Sequence, residues 1–175
     1  GNTAPILTFG DTQHRAENAL LFTSFFTSFV FDFALRQSVG GAHINLYILE
    51  QLPMPTPKDI SSIQISFSNN TTSLKEFLVE NALHLTWTSH SLDSLGETLG
   101  NDEGPFVWDD KDRRRRRAAI DAAIAKVYGL SEKEFEYIID SFDILKERQI
   151  KNYDEYRRKN DCIEAYRQIK LFDSN

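Results

Sequence analysis

Five consecutive arginines, Arg113 to Arg117, form the densest cluster of chemistry-bearing side chains in the sequence. A guanidinium presents a planar fork of N–H donors that matches phosphate oxygens two at a time, so the run points to phosphate contact. On a helix, five consecutive residues face all round, so they do not all meet one duplex. Asp109, Asp110, Asp112 and Asp121 stand at spacings that suit helical ion pairs. That gives a second reading, a solvated or internally paired face. A second candidate set is Arg36, Gln37, Gly40, Gly41, His43 and Asn45. Arg and Asn side chains suit the edges of guanine and adenine respectively. The plain alternative is a loop that joins two core elements, with Asn45 capping the next turn.

Other reactive side chains give less. Asp109-Asp110-Lys111 has the form of the second half of a nuclease metal motif. That chemistry needs an upstream carboxylate on a strand converging on the same ion, and the sequence offers no convincing one. A helix cap is the better reading. His14, His43, His84 and His90 lack zinc spacing, and Cys162 stands alone. Trp87 and Trp108 have the flat faces on which bases stack, but apolar neighbours favour core packing for both. No serine sits in a nucleophile-elbow context.

The chain that must position these groups has 175 residues and is 41% hydrophobic, enough for one or two small domains with a real core. Thirteen Phe make that core aromatic-rich. A single cysteine excludes an internal disulfide framework and suits a reducing cytoplasm. The net charge of −6 argues against a free-standing electrostatic DNA binder. The charge is uneven, however. Residues 1–112 carry 5 Lys/Arg against 14 Asp/Glu, and residues 113–175 carry 15 against 12. Attraction to phosphate therefore belongs to the C-terminal part. The opening Gly1-Asn2-Thr3-Ala4-Pro5 reads as a tag scar before the interior of a longer protein. The most apolar stretch, Ala19 to Phe31, is too short to span a bilayer and is interrupted by Thr and Ser. It reads as a buried helix, and no membrane partner is expected.

Pro5 to Phe9 reads as a short strand, with Asp11 or Thr12 capping the next helix. Apolar residues from His14 to Gln37 recur at three- and four-residue spacings and predict one long, broadly buried helix. Gly40-Gly41 ends it. Ile44 to Leu49 is open between a helical turn and a strand, and Pro53, Pro55 and Pro57 force an extended exit. Ile63-Gln64-Ile65-Ser66-Phe67 alternates like a strand, but a short helix capped by Asp59 competes. Asn69-Asn70 reads as a turn. Ser73-Leu74-Lys75-Glu76 is a capping box that starts a helix to about Leu85. A short helix is expected at Ser91 to Leu99, then an apolar anchor, Phe106-Val107-Trp108. Asp109 or Asp110 starts a long helix through Tyr128, which Gly129 stops. Ser131 to Glu134 is a second capping box, and a last helix is expected from Tyr153 to Leu171.

Two segments carry a resemblance. The first runs from Phe29 to Pro57 and holds Phe29-Val30-Phe31-Asp32-Phe33, then Gly40-Gly41-Ala42-His43-Ile44-Asn45, then Leu52-Pro53-Met54-Pro55. The second runs from Gly104 to Tyr156 and holds Gly104-Pro105-Phe106-Val107-Trp108-Asp109, Arg117-Ala118-Ala119-Ile120-Asp121-Ala122, Val127-Tyr128-Gly129-Leu130 and Tyr153-Asp154-Glu155-Tyr156-Arg157. In that order they resemble the C-terminal, target-recognition region of type IIG-like restriction–modification N6-adenine DNA methyltransferases and related phage-defence enzymes. The family's catalysis needs an Asn-Pro-Pro-Tyr-type turn for the flipped adenine and a glycine-rich loop for S-adenosylmethionine. Neither occurs in this sequence.

The resemblance implies an α+β, mostly helical chain without the catalytic motifs. Residues 1–57 would end a target-recognition domain, 58–72 would be a linker, and 73–175 a helical C-terminal region. Double-stranded DNA and the methyltransferase domain of the same polypeptide are the implied partners. S-adenosylmethionine, and Mg²⁺ where a nuclease is fused, would be held elsewhere in that polypeptide. The alternative is a docking module between domains or subunits, without direct DNA contact.

Overall fold

A computed structural model describes residues 8, 10, 14–39 and 46–173. The described chain is mostly helical, with a three-stranded antiparallel sheet, as expected for an α+β, mostly helical protein. Apart from Thr8, the expected Pro5–Phe9 strand falls outside the described residues, as does the Asp11 or Thr12 cap.

The long helix expected from His14 to Gln37 is two helices, α1 (Arg15–Phe26) and α2 (Phe29–Ser38), bent by 68°. Periodicity continues across the break, which is why the sequence reads as one element. Hydrogen bonding makes the break. Ser28 is extended, its Oγ accepts from the Phe31 N–H, and it donates to the Phe25 carbonyl at 2.7 Å. No single helix among the described residues is long and apolar enough to cross a membrane.

After α3 (Leu46–Leu49), Thr56 and Asp59 form a capping box on α4 (Pro57–Ser61), so Asp59 supports the cap rather than being it. The stretch expected as a linker is ordered structure. β1 (Ile63–Phe67) and β2 (Asn70–Ser73) form a hairpin in which Ser68 and Asn69 both have positive φ, as a tight two-residue turn requires. Ile60 and Ile65 enter the core.

The two capping boxes appear where the sequence places them. Ser73 and Glu76 start α5 (Leu74–Thr86), and Ser131 and Glu134 start α8 (Glu132–Asp140). Between them lie a short 3-10 turn at His90–Leu92, α6 (Asp93–Thr98) and α7 (Asp110–Val127). Gly129, with φ of +69°, ends the α7 segment. The expected Tyr153–Leu171 helix is displaced. α9 (Asp143–Tyr153) ends at Asp154 in the left-handed region, α10 covers Arg157–Gln168, and β3 (Lys170–Asp173) pairs with the free edge of β1.

The second half of α7 is small and apolar. Ala118, Ala119, Ala122 and Ala123 let α10 pack closely along it, while α5 packs against α1 and α7. One core joins Phe25 and Phe29 to Leu78, Ile124, Ile139 and Ile163, drawing on both sides of the expected domain division.

Candidate functional site

Asp109 fixes where the arginines point. It is the N-cap of α7 and accepts from the Asp112 N–H at 2.6 Å, so the first half of the carboxylate pair is a cap. Asp110 and Asp112 then complement the positive end of the helix.

The five arginines have five different environments. Arg113 is only 9% exposed; its Nη2 donates to the Leu85 carbonyl at 3.0 Å, and its guanidinium lies 3.7 Å from the Trp108 ring centre. Arg114 is bidentate to Asp161 of α10, at 2.9 and 2.8 Å. Arg115 is exposed, near the Phe67 ring. Arg116 donates to Asp112 at 2.6 Å and to Asn81 at 3.2 Å. Arg117 is exposed over part of its surface and has no hydrogen bond or ion pair among the described residues. Internal pairing therefore takes up Arg114 and Arg116 and leaves Arg117 free.

Asp121, one turn further along α7, is 1% exposed and pairs with none of the run. It accepts from the Phe29 N–H at 2.9 Å, from Arg158 Nη2 and from Cys162 Sγ at 3.7 Å. One buried carboxylate thus ties α2 and α10 to α7. Burial pushes its carboxyl up, opposed first by Arg158 and then by the Phe29 N–H. Arg158 in turn is pushed up by Asp121 against its own burial. These directions oppose each other. Three donors on one carboxylate are best served by its ionised form, so the pair is ionic.

Arg113 and Arg158 share a further property. The Nη1 of each is enclosed and has no hydrogen-bond partner among the described residues. An enclosed donor without an acceptor costs about 1–3 kcal/mol.

These side chains line a cleft of about 560 Å³ between α7, α9 and α10. Six cationic side chains face it (Lys111, Arg113, Arg114, Arg117, Arg157 and Arg158), against two carboxylates, Asp110 and Asp161. Trp108 and Tyr153 edge it, with Arg157 stacked 4.0 Å from the Tyr153 ring centre. An adjoining cavity of about 490 Å³ shares Arg113, Arg117, Gln149 and Arg158 and has apolar walls from Phe29, Leu85 and Ile120. Burial, then repulsion by Arg158 and Arg113, lowers the Arg117 pKa, so the three guanidiniums share one field. The Gln149 Oε1 accepts from the Arg158 backbone N–H at 2.8 Å, which fixes the amide and leaves its NH₂ as a donor. Such a donor-rich, cationic cleft can bind and orient oxyanions.

Of the second expected set, Arg36 and Gln37 do not line this cleft. Arg36 is bidentate to Asp32 of its own helix, at 2.9 and 3.0 Å, which raises its pKa, and it lies 4.5 Å from the Phe142 ring centre. Gln37 is exposed on the same turn. Gly40, Gly41, His43 and Asn45 lie outside the described residues. The tryptophans divide. Trp87 is 1% exposed in a satellite core, as expected, whereas Trp108 is 60% exposed. Trp108 is recruited by Arg113 and by Asp110, which accepts from its Nε1 at 2.9 Å. His84 is half-buried, stacked 3.5 Å from Phe106; burial, then Arg116, lowers its pKa to about 4.

Sequence reasoning missed Arg157, Arg158, Gln149 and Tyr153. The available signal was Arg157-Arg158-Lys159, a second cationic triplet on an expected helix; its pairing with α7 depends on tertiary packing. Compared with protein-family models, curated proteins and solved structures, the chain matches none.

Proposed function

We propose that this chain is a non-catalytic, DNA-contacting region of a bacterial N6-adenine methyltransferase or combined restriction–modification enzyme. The α7–α10 cleft meets the phosphate backbone and sets register, while bases are read by loops and methyl transfer is performed elsewhere in the polypeptide. One observation carries this reading: six cationic side chains gather around one cleft in a chain whose net charge is −6. The order of the Phe29–Pro57 and Gly104–Tyr156 segments supports the family. S-adenosylmethionine, and Mg²⁺ for any nuclease, belong to the remaining polypeptide in this reading.

The test is duplex binding by fluorescence anisotropy at low salt. Replacing Arg114, Arg117 and Arg157 together by Gln is expected to weaken binding at least about tenfold, since each charge-assisted contact contributes of order 1.5–3 kcal/mol. Unchanged binding by the folded variant would remove the cleft from the interface.

A docking role has its own support. Val107 is 92% exposed and Ile144 85% exposed, large apolar surfaces that a partner domain would cover. That reading requires self-association, or association with the methyltransferase domain, that Val107→Ser and Ile144→Ser reduce in sedimentation velocity. A strictly monomeric chain that ignores that domain contradicts it.

A further inference from the structure

We propose that the inner end of the cleft is a pocket for a single phosphate-class oxyanion, held by Arg113, Arg117, Arg158 and the Gln149 amide nitrogen. The inference rests on the proposed function only in taking the α7–α10 cleft as phosphate-facing, and it adds a defined inner site.

The four residues line both the open cleft and the adjoining cavity of about 490 Å³, so they mark the passage between them. All four offer donors. Three guanidiniums stand there with Asp121, whose oxygens are already engaged by Phe29, Arg158 and Cys162, and with Asp161 nearby, which pairs with Arg114. Arg113 and Arg158 each hold an enclosed N–H without an acceptor among the described residues.

Two arms of the pocket are held in advance. The Leu85 carbonyl and Trp108 fix Arg113, and Asp121 fixes Arg158. Arg117 has no anchor and is the arm that closes on the ligand. The apolar walls of Phe29, Leu85 and Ile120 thin the water around the charges and strengthen each contact. The four shared residues offer donors for one phosphate group. That group can come from a nucleic-acid backbone or from a free phosphate ester.

The experiment titrates inorganic phosphate into the chain at constant ionic strength, read by phosphorus NMR line-broadening and by thermal unfolding against chloride and acetate. Saturable phosphate binding with a phosphate-specific rise in Tm is expected. Arg117→Gln should weaken it about tenfold, the worth of one charge-assisted contact. Lys133→Gln, at an exposed position lining neither cavity, should leave it unchanged. Arg117 makes no hydrogen bond or ion pair among the described residues, so its variant should stay folded, and circular dichroism checks this.

Equal Tm in phosphate and chloride overturns the pocket, as does equal loss in the two variants. Acetate acting as strongly as phosphate overturns the phosphate assignment in favour of a protein carboxylate. A duplex that displaces bound phosphate supports the pocket with a backbone source, and one that does not supports it with a free phosphate ester. Phosphate binding without duplex binding leaves the pocket standing and removes the DNA reading. Duplex binding without phosphate binding does the reverse.

Discussion

Asp121 is the buried carboxylate that ties three helices together. It is 1% exposed, yet it receives three donors, one from α2 and two from α10. A buried ion pair is a weak source of net stability, but breaking one partner leaves an uncompensated charge. Asp121→Asn should therefore destabilise the chain by roughly 3–5 kcal/mol in denaturant unfolding, by stranding Arg158. A loss below about 0.5 kcal/mol, the scale of ordinary surface changes, would show that the carboxylate is not holding these segments. His84 makes a pH prediction. Its folded pKa, about 4, lies below the unfolded value of 6.5, so the folded state binds fewer protons between them. Its contribution to stability is complete above pH 6.5 and is lost as pH falls through 4. His84→Phe should flatten the stability–pH curve in that window. An unaltered slope contradicts the burial of a neutral imidazole against Phe106.

At the scale of elements, α6 shows how a glycine can position a helix. A Cβ on Gly96 would come within 2.2 Å of the Trp87 ring, so α6 lies flat on that indole. Gly96→Ala should cost about 1–3 kcal/mol as Trp87 or α6 is displaced. Near-neutral thermal unfolding would mean that α6 does not pack there. The helix starts were legible in the sequence because they are local chemistry: Ser73 with Glu76, Ser131 with Glu134, and the Asp109 cap all lie within four residues of their partners. The break at Thr27–Ser28 was hidden because the apolar pattern runs through it, and one of its stabilising bonds comes from Asp121, distant in sequence. The expected helix runs into the first half of β3 because that strand's role is set by the free edge of β1, which lies over a hundred residues upstream. The arginine run was legible as a cationic cluster. Its division into one free, two ion-paired, one buried and one exposed side chain was not, because Asp161, Leu85 and Asn81 are supplied by other helices.

The whole molecule is acidic, with its positive charge concentrated where α7 crosses α10. On the proposed reading, that face of a chain of net charge −6 is the one that meets a polyanion. The resemblance in sequence and the cleft in the structure meet at Arg117, which lies in a resembling segment and lines both cavities. The most direct measurement is the salt dependence of duplex binding by the folded chain. Three or four phosphate contacts at about 0.9 each predict a slope of log K against log salt near −3. Arg117→Gln should make that slope shallower by about one contact. A slope near zero, or no duplex binding at low salt by a folded sample, would contradict phosphate contact by the α7–α10 cleft.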